Sequence, residues 1–456
     1  MQFKLEGHMG VDRNAAVVDG RPLETIETDV FVAGGGAAGL AVAVTAARRG
    51  CRVVLAERYG FCGGGAVAGL SGTVCGLYEA TEAGTSPVQV VHGFVDEFLG
   101  AMRERGGLGE PVKYGKTWTL VHEPLVWREV GDAFLREAGV TTLYHSTVTD
   151  ILLDGDVVAG AQLYTKQGKV RVRAKVTIDA SGDADLVSMA GWPTTMGDNG
   201  KVQNPTMIFR LGGVDVDRFR AAYGLDTIMP PEVSARIAEA NGHGYHLPRG
   251  KIWLFPTTRP GELLCNCTRI TGADGRELNA VIHRDFTDAE FEGRAQVREY
   301  SRFFRDTLAG CEGSWVIDTG VQVGVRQTRQ VAGVKTLRNA DILAGAKFAD
   351  GIARSPWPIE LHSGSRPRVE WLLNDFYEVP FGCFVPAQGE SLLVAGRCLS
   401  AEHEAVASAR VTAQCFSYGH AIGHAAALSC QEHIPVRAIR GEDIRLLLDR
   451  DGAQLN

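Results

Sequence analysis

The stretch Asp29–Arg58, DVFVAGGGAAGLAVAVTAARRGCRVVLAER, decides how the chain folds. An apolar run from Val30 to Ala33 enters a glycine cluster. A small-residue segment of helical character follows from about Ala37 to Arg49, and a second apolar run, Arg52 to Ala56, ends in Glu57. The order is strand, turn, helix, strand. Gly34, Gly36 and Gly39 fit G-x-G-x-x-G, and each glycine has its own job in a dinucleotide fold. Gly34 permits the sharp exit from the strand, Gly36 lets the backbone approach a pyrophosphate, and Gly39 lets the helix pack on the sheet. The helix N-terminus offers unpaired N–H groups and a partial positive charge to the phosphates. Glu57, 18 residues beyond Gly39, can accept hydrogen bonds from ribose hydroxyls and would repel a 2′-phosphate. Three glycines could also be a mere turn in a chain that has 56 of them. The strand before, the helix after and the carboxylate downstream favour the nucleotide.

A length of 456 residues calls for two or three packed domains. Hydrophobic residues at 45% and charged residues at 22% are ordinary for a soluble globular protein. The net charge of −7, with no block of basic residues, gives no general attraction to nucleic acid or an anionic membrane. The N-terminus lacks a signal-peptide layout, and no run of about eighteen apolar residues occurs, so a cytoplasmic protein is expected. The ten cysteines form no C-x-x-C pair, which leaves a thioredoxin-type disulfide or an iron–sulfur cluster without its usual spacing. They read as small buried hydrophobes.

Residues 1–28 read as a surface extension without assigned function. FCGGGAVAGLSGTVCGLY, Phe61 to Tyr78, is too rich in glycine and alanine for an ordinary strand, and suits a backbone running along a flat or charged ligand. Amphipathic helices are expected over 88–105 and 123–138. Strands over 141–145, 147–153, 157–164 and 169–178 form an antiparallel meander inserted into the nucleotide domain. The last strand runs into Asp179-Ala180-Ser181-Gly182-Asp183, which is either a turn before a helix or another approach of ligand to the sheet edge. The pattern changes over 192–384, with strands near 205–211, 251–256 and 262–270 and a helix near 288–308. This is the expected substrate domain. It holds no second G-x-G-x-x-G, so the chain carries one dinucleotide and lacks a pyridine nucleotide domain of the disulfide-reductase kind. An apolar strand, Ser391 to Ala395, and a long small-residue helix, about 410–430, return the chain to the nucleotide domain. That domain is therefore discontinuous, 29–191 and 385–432. A C-terminal helix and tail, 433–456, complete the chain.

Six stretches taken together resemble one family: AGGGAAGLAVAVTAARRGCRVVLAER, CGGG, AKVTIDASGDADLVSMAG, GVRQTRQVAGVKTL, VPFGCFVP and LLVAGRCLSAEHEAVASARVTAQCFSYGHAIGHAAAL. They resemble the FAD-dependent oxidoreductases of the glutathione-reductase structural class, a family also similar to the flavin domain of heterodisulfide reductases, and they span residues 29 to about 430. The resemblance implies an α/β fold: a Rossmann-like FAD-binding domain of the glutathione-reductase type, an inserted antiparallel β meander and a second, α+β substrate domain. It implies FAD as cofactor, its pyrophosphate held by Gly34, Gly36, Ala38 and Gly39 and followed by Gly64 and Gly65. Glu57 and Arg58 would hold the adenosine half and the backbone of Val148 the adenine. Gly182 and Asp183 would touch the nucleotide or ribityl region, while Arg397 and the helix start at Arg410 and Val411 would lie by the flavin's pyrimidine side. A positive helix terminus there favours the reduced, anionic flavin. The chain departs from the family at Gly65-Ala66-Val67-Ala68, where Thr or Ser is common, and at the preceding Cys62. Cys62 or Cys75 is either a covalent flavin attachment or a packing residue.

The expected reaction is a dehydrogenase or oxidase one: hydride passes from a small organic substrate to flavin, and oxygen or another acceptor reoxidises it. Arg326 and Arg329 could orient a substrate carboxylate through bidentate hydrogen bonds, or support the domain interface through salt bridges. His403 and His362 are candidate bases or hydrogen-bond donors. His420 and His424, one helical turn apart, could pair on a metal, but no acidic or cysteine ligand stands near them in sequence, so no metal is expected. A flavin monooxygenase and a non-catalytic electron-transfer subunit are the rival readings. The partner expected is a small molecule, with neither nucleic acid nor membrane, and with a homo-oligomer or an acceptor protein left open.

Overall fold

The computed structural model describes residues 22–362 and 367–456. Most of the expected N-terminal extension, and the Ser363-Gly364 pair beside His362, lie outside the described residues. The apolar run of the opening stretch belongs to β1 (Pro22–Ala33), followed by α1 (Ala37–Arg48) and β2 (Val53–Glu57). Val30, Phe31, Val32 and Leu55 are fully buried, as continuous apolar runs are when both faces of a parallel sheet are covered. β1 begins ahead of that run because its first half pairs in parallel with the strand Gly168–Asp179, from Glu24 opposite Val170 to Thr28 opposite Ala174.

The parallel strands lie in the order Thr141–Tyr144, β2, β1, Gly168–Asp179, and Leu392–Val394 then pairs with the last three residues of Gly168–Asp179. Of the expected meander, Thr147–Asp154 and Val157–Thr165 form an antiparallel arm of the same sheet continuing from Gly168–Asp179, whereas Thr141–Tyr144 is no part of it and pairs in parallel with β2. Register brings three carboxyl ends level, with Ala33 and Val394 both opposite Asp179. The next residues, Gly34, Ala180 and Ala395, therefore share one sheet edge, where ligands bind in such folds. α1 packs against the long helix Thr412–Glu432. That helix is rich in small residues for a steric reason: a Cβ on Gly419 would stand 2.2 Å from the carbonyl oxygen of Ala38, and one on Gly423 would stand 2.6 Å from Thr45 Cβ.

The second unit is a four-stranded antiparallel sheet (Trp253–Pro256, Leu263–Asn266, Phe209–Gly212, Trp315–Thr319) with the helix His283–Thr307. Its core gathers Met207, Phe209, Leu254, Tyr300, Phe303 and Phe304 and closes at Val323. Residues from Val331 to Phe384, expected in the substrate domain, pack instead with the core of the large sheet. The hairpin Leu108–Tyr114 and Thr117–His122 was not expected. Its first strand, LGEPVKY, has no clean apolar alternation, and it is held by pairing of the second strand with Thr73–Val74. Tyr114 at its tip meets Ile208, Trp253, Phe255 and Trp357 in a small cluster between the two cores.

Candidate active site

At the sheet edge the glycines divide their work. Gly34 has φ +105°, and a Cβ there would lie 2.5 Å from the Ala180 carbonyl oxygen; a Cβ on Gly39 would lie 1.9 Å from the Gly34 carbonyl oxygen. These two let strand and helix pack closely. Gly36 and Gly65 differ, since an added Cβ at either meets no protein atom within 4 Å. Their open sides face a cleft bordered also by Gly34, Gly64, Glu57, Arg58 and Val148. Glu57 is fixed by the backbone: Gly35 N–H donates to Oε2 (2.7 Å) and Tyr59 N–H to Oε1 (2.9 Å). Burial raises its pKa, and those two donors work against the rise. Arg58 donates to Gln322 Oε1 (2.6 Å), tying the cleft's rim to the second unit.

A second cleft shares Gly36, Gly65 and Ala180 with the first, so the two make one groove past the start of α1. Ala38, Gly182, Arg397 and Val411 also border it, as does Arg410, whose charge acts on Glu360 and Arg326. Arg397 Nη2 donates to Asp183 Oδ1 (2.7 Å), which also accepts from Thr328 (2.6 Å). Asp183 itself borders neither cleft; it positions Arg397. Val411 is the N-cap of the long helix, and Thr412, its first residue, also faces the cleft. Among the residues bordering this cleft, four buried polar atoms lack a protein partner: Arg397 Nε, Arg410 Nε, Ser71 Oγ and Trp357 Nε1.

These features fit an extended FAD. Unfilled space over Gly36 and Gly65 would take the pyrophosphate, with Glu57 beside the ribose and Val148 beside the adenine. Unpartnered donors lie toward the far end. Ser71 and Thr73 border the cleft, so hydroxyls stand a few residues beyond the Gly65–Ala68 stretch in which they were missed.

The groove ends in a chamber walled by Ile208, Phe255 and Trp357 and bearing Tyr114, Arg326, Glu360 and His362. Glu360 is the middle residue of the short strand Ile359–Leu361 and His362 follows its end; two residues apart on extended chain, they face the same way. Tyr114 donates to Glu360 Oε1 (2.6 Å), and His362 Nε2 lies 3.7 Å from Oε2. Arg249 hydrogen-bonds His362 Nδ1. A guanidinium only donates, so Nδ1 accepts and the neutral ring carries its proton on Nε2, toward Glu360. Burial, then Arg326, pulls the His362 pKa well below the usual value. Burial alone would push Glu360 up, but hydrogen bonds from His362 and Tyr114 and the charge of Arg410 hold the carboxyl below its usual value. The pair is thus a carboxylate beside a neutral imidazole. Arg326 donates to the Asn204 carbonyl (2.7 Å) and Asn266 Oδ1 (3.4 Å).

Several sequence candidates stand elsewhere. His403 opens the helix His403–Ala409 and borders neither cleft, having Asp198, Glu404, Arg368 and Glu277 as its charged surroundings; chain proximity to Arg397 did not carry over into space. Arg329 is spent on Asp185, the Asp183 carbonyl and Ser188, the supporting role rather than the substrate one. Gly39 packs helix on strand behind the groove. Cys62 is buried outside both clefts, against Gly35 and Tyr144, which removes it as a flavin attachment. Cys75 does border the cleft, with its thiol pushed up to about 11 by burial. His420 and His424 lie along the long helix away from the groove, where Asp451 accepts from both (3.3 and 2.9 Å). An acidic neighbour was therefore present after all, supplied by the C-terminal segment. Glu360, Tyr114 and Arg249 were missed. The alternation Glu-x-His on a strand was the available signal for Glu360; none existed for the other two.

No curated protein matches the chain. Among solved structures it is similar to a geranylgeranyl bacteriochlorophyll reductase-like protein of Thermoplasma acidophilum, with 16% identity, 94% of this chain and 92% of that one covered, and a TM-score of 0.49. It is also similar to p-nitrophenol 4-monooxygenase of Pseudomonas putida DLL-E4, with 13% identity, coverage of 95% and 87%, and a TM-score of 0.49. Likeness of this degree says nothing of substrate or reaction. Over residues 29–448 the sequence matches the family model described as FAD dependent oxidoreductase, and the chain belongs to that family.

Proposed function

We propose that the protein oxidises a small organic molecule in the chamber at the groove's end, passing its hydride to FAD. Oxygen or an acceptor protein then takes up the electrons, and the compartment is the cytoplasm. Bound FAD supplies a two-electron acceptor. The observation that carries the reading is the continuity of the groove: one end suits an adenosine, and the other closes on Tyr114, Arg326, Glu360 and His362. A pocket with apolar walls and a few convergent polar groups orients a small substrate. Oxidation also releases a proton. Glu360 is the ionised acceptor in the chamber, oriented by Tyr114, while His362 with its Nε2–H serves as a hydrogen-bond donor rather than a base. The parallel strand order with an inserted antiparallel arm supports the glutathione-reductase structural class, and with it the likeness to the heterodisulfide reductase flavin domain.

Anaerobic mixing of the FAD-loaded protein with a panel of organic acids, alcohols and amines tests this. Bleaching of the flavin band by one substrate class is expected. Bleaching by NAD(P)H alone would point to a monooxygenase, and reduction only by an artificial one-electron donor to an electron-transfer subunit; either result rejects the proposal.

A further inference from the structure

The chamber holds more positive charge than its own carboxylate answers. Arg326 and Arg410 border it, and Arg249 stands directly behind His362. Among the described residues of the chamber wall Glu360 is the one acid. The nearby Arg397 is matched by Asp183 and leaves the count. Tyr114 and His362 are neutral. Three guanidiniums against one carboxylate leave two positive charges unanswered.

Their remaining protein partners do not help. Arg326 donates to a carbonyl and an amide oxygen, and Arg410 Nη2 to Gln203 Oε1 (3.4 Å). Those are dipoles, which satisfy hydrogen bonds without cancelling charge. Burial and the neighbouring cations pull Arg326 below the usual guanidinium range and Arg410 down to about 10. Arginine nevertheless stays protonated in proteins, so the charge calls for an anion from outside. A buried ion without a counter-ion is costly, and the planar guanidinium fork suits a carboxylate. The three cations come from separate segments: the approach to the strand Trp253–Pro256, the segment after Trp315–Thr319, and the turn before the helix Thr412–Glu432. Two unanswered charges match a dianion, and the apolar wall of Ile208, Phe255 and Trp357 favours one with a carbon chain over phosphate.

We infer that the substrate is a small organic dicarboxylate, its two carboxylates answering Arg326 and Arg410 with Arg249 behind, and its short carbon chain lying against Ile208, Phe255 and Trp357. This rests on the chamber being the substrate site of the reaction proposed above. The substrate would lose one hydride, carrying two electrons, to FAD and one proton to Glu360, leaving a new double bond. The same dianion offsets Arg410, the cation that helps hold the Glu360 carboxyl low, so substrate binding raises the proton affinity of its own acceptor.

Calorimetric titration tests this without turnover, on FAD-loaded and FAD-free protein, with malonate, succinate, glutarate, butyrate, butanediol, butanediamine and inorganic phosphate. At least one dicarboxylate should bind tenfold or more tighter than butyrate and phosphate, with affinity falling as salt rises and no measurable binding of the diol or diamine. Arg326→Met should weaken that dicarboxylate at least 100-fold, and Arg326→Lys less. Should either variant fail to fold, the wild-type series decides alone. Butyrate, phosphate, diol or diamine binding as tightly as every dicarboxylate overturns the inference. Tight dicarboxylate binding without flavin bleaching by any dicarboxylate would leave the charge argument standing and reject the reaction. Bleaching by a neutral alcohol or amine would do the reverse.

Discussion

Gly34 and Gly36, two residues apart, make the sharpest contrast at the residue scale. Gly36→Val should fill space that belongs to FAD, lowering FAD affinity at least 100-fold while leaving the urea midpoint of the flavin-free protein nearly unchanged, because no protein atom lies within 4 Å of the new Cβ. Gly34→Ala should instead destabilise the fold by about 1–3 kcal/mol or more, from the left-handed φ of +105° and the clash with the Ala180 carbonyl. Flavin-fluorescence titration and urea denaturation on both variants separate the two effects. In the chamber, Glu360→Gln should slow anaerobic flavin reduction by about 10²–10⁴-fold, the usual worth of a positioned base, with substrate still bound. Tyr114→Phe should cost less, since it removes only the hydroxyl that orients Glu360. His362 should leave no inflection near its ordinary pKa in the reduction rate, because the ring stays neutral across that range. An inflection near pH 6.5 abolished by His362→Gln would contradict the tautomer derived from Arg249.

At the scale of elements, the nucleotide-binding strands and helices were legible because local signals agreed: apolar runs, a glycine turn, a helix of small residues and a downstream acid. The Leu108–His122 hairpin was not, since Gly109, Pro111 and Lys113 break any alternation and the strands exist by virtue of a partner, Thr73–Val74. Two histidines on packed elements give a stability prediction. His122, on that hairpin, and His424, on the long helix, are buried; burial lowers their pKa values to about 3 and about 4. In the unfolded chain both titrate near 6.5. The unfolded state therefore binds the extra protons as pH falls below that value, and the stability present at neutral pH is lost on acidification toward 4. By pH 5 the loss is about 2 kcal/mol for each histidine. Urea midpoints at pH 7 and pH 5 should show a smaller drop for His122→Phe than for the wild type; equal drops would refute the assignment.

Across the whole molecule, the site is a meeting of distant segments, and that governed what could be read in advance. Glycines and acids of the nucleotide end lie within one contiguous unit and announced themselves. The chamber combines Tyr114 from a hairpin tip, Arg326 and Arg249 from the second unit, Glu360 and His362 from a returning strand, and Arg410 from a helix junction; no sequence spacing encodes that meeting. Conversely, His403 is near Arg397 in the chain and faces another way. Because an extended FAD would run through both clefts of the groove, saturating FAD should stabilise the protein by about 2.7 kcal/mol at 100 times its Kd, seen as a rise in thermal midpoint that FMN, lacking the adenosine half, should not reproduce in full. The most direct measurement is equilibrium titration of flavin-free protein with FAD and with FMN, followed by flavin fluorescence. One FAD should bind per chain, at least tenfold tighter than FMN; protein that is folded yet binds no FAD, or binds FMN equally well, would contradict the placement of the dinucleotide along this groove.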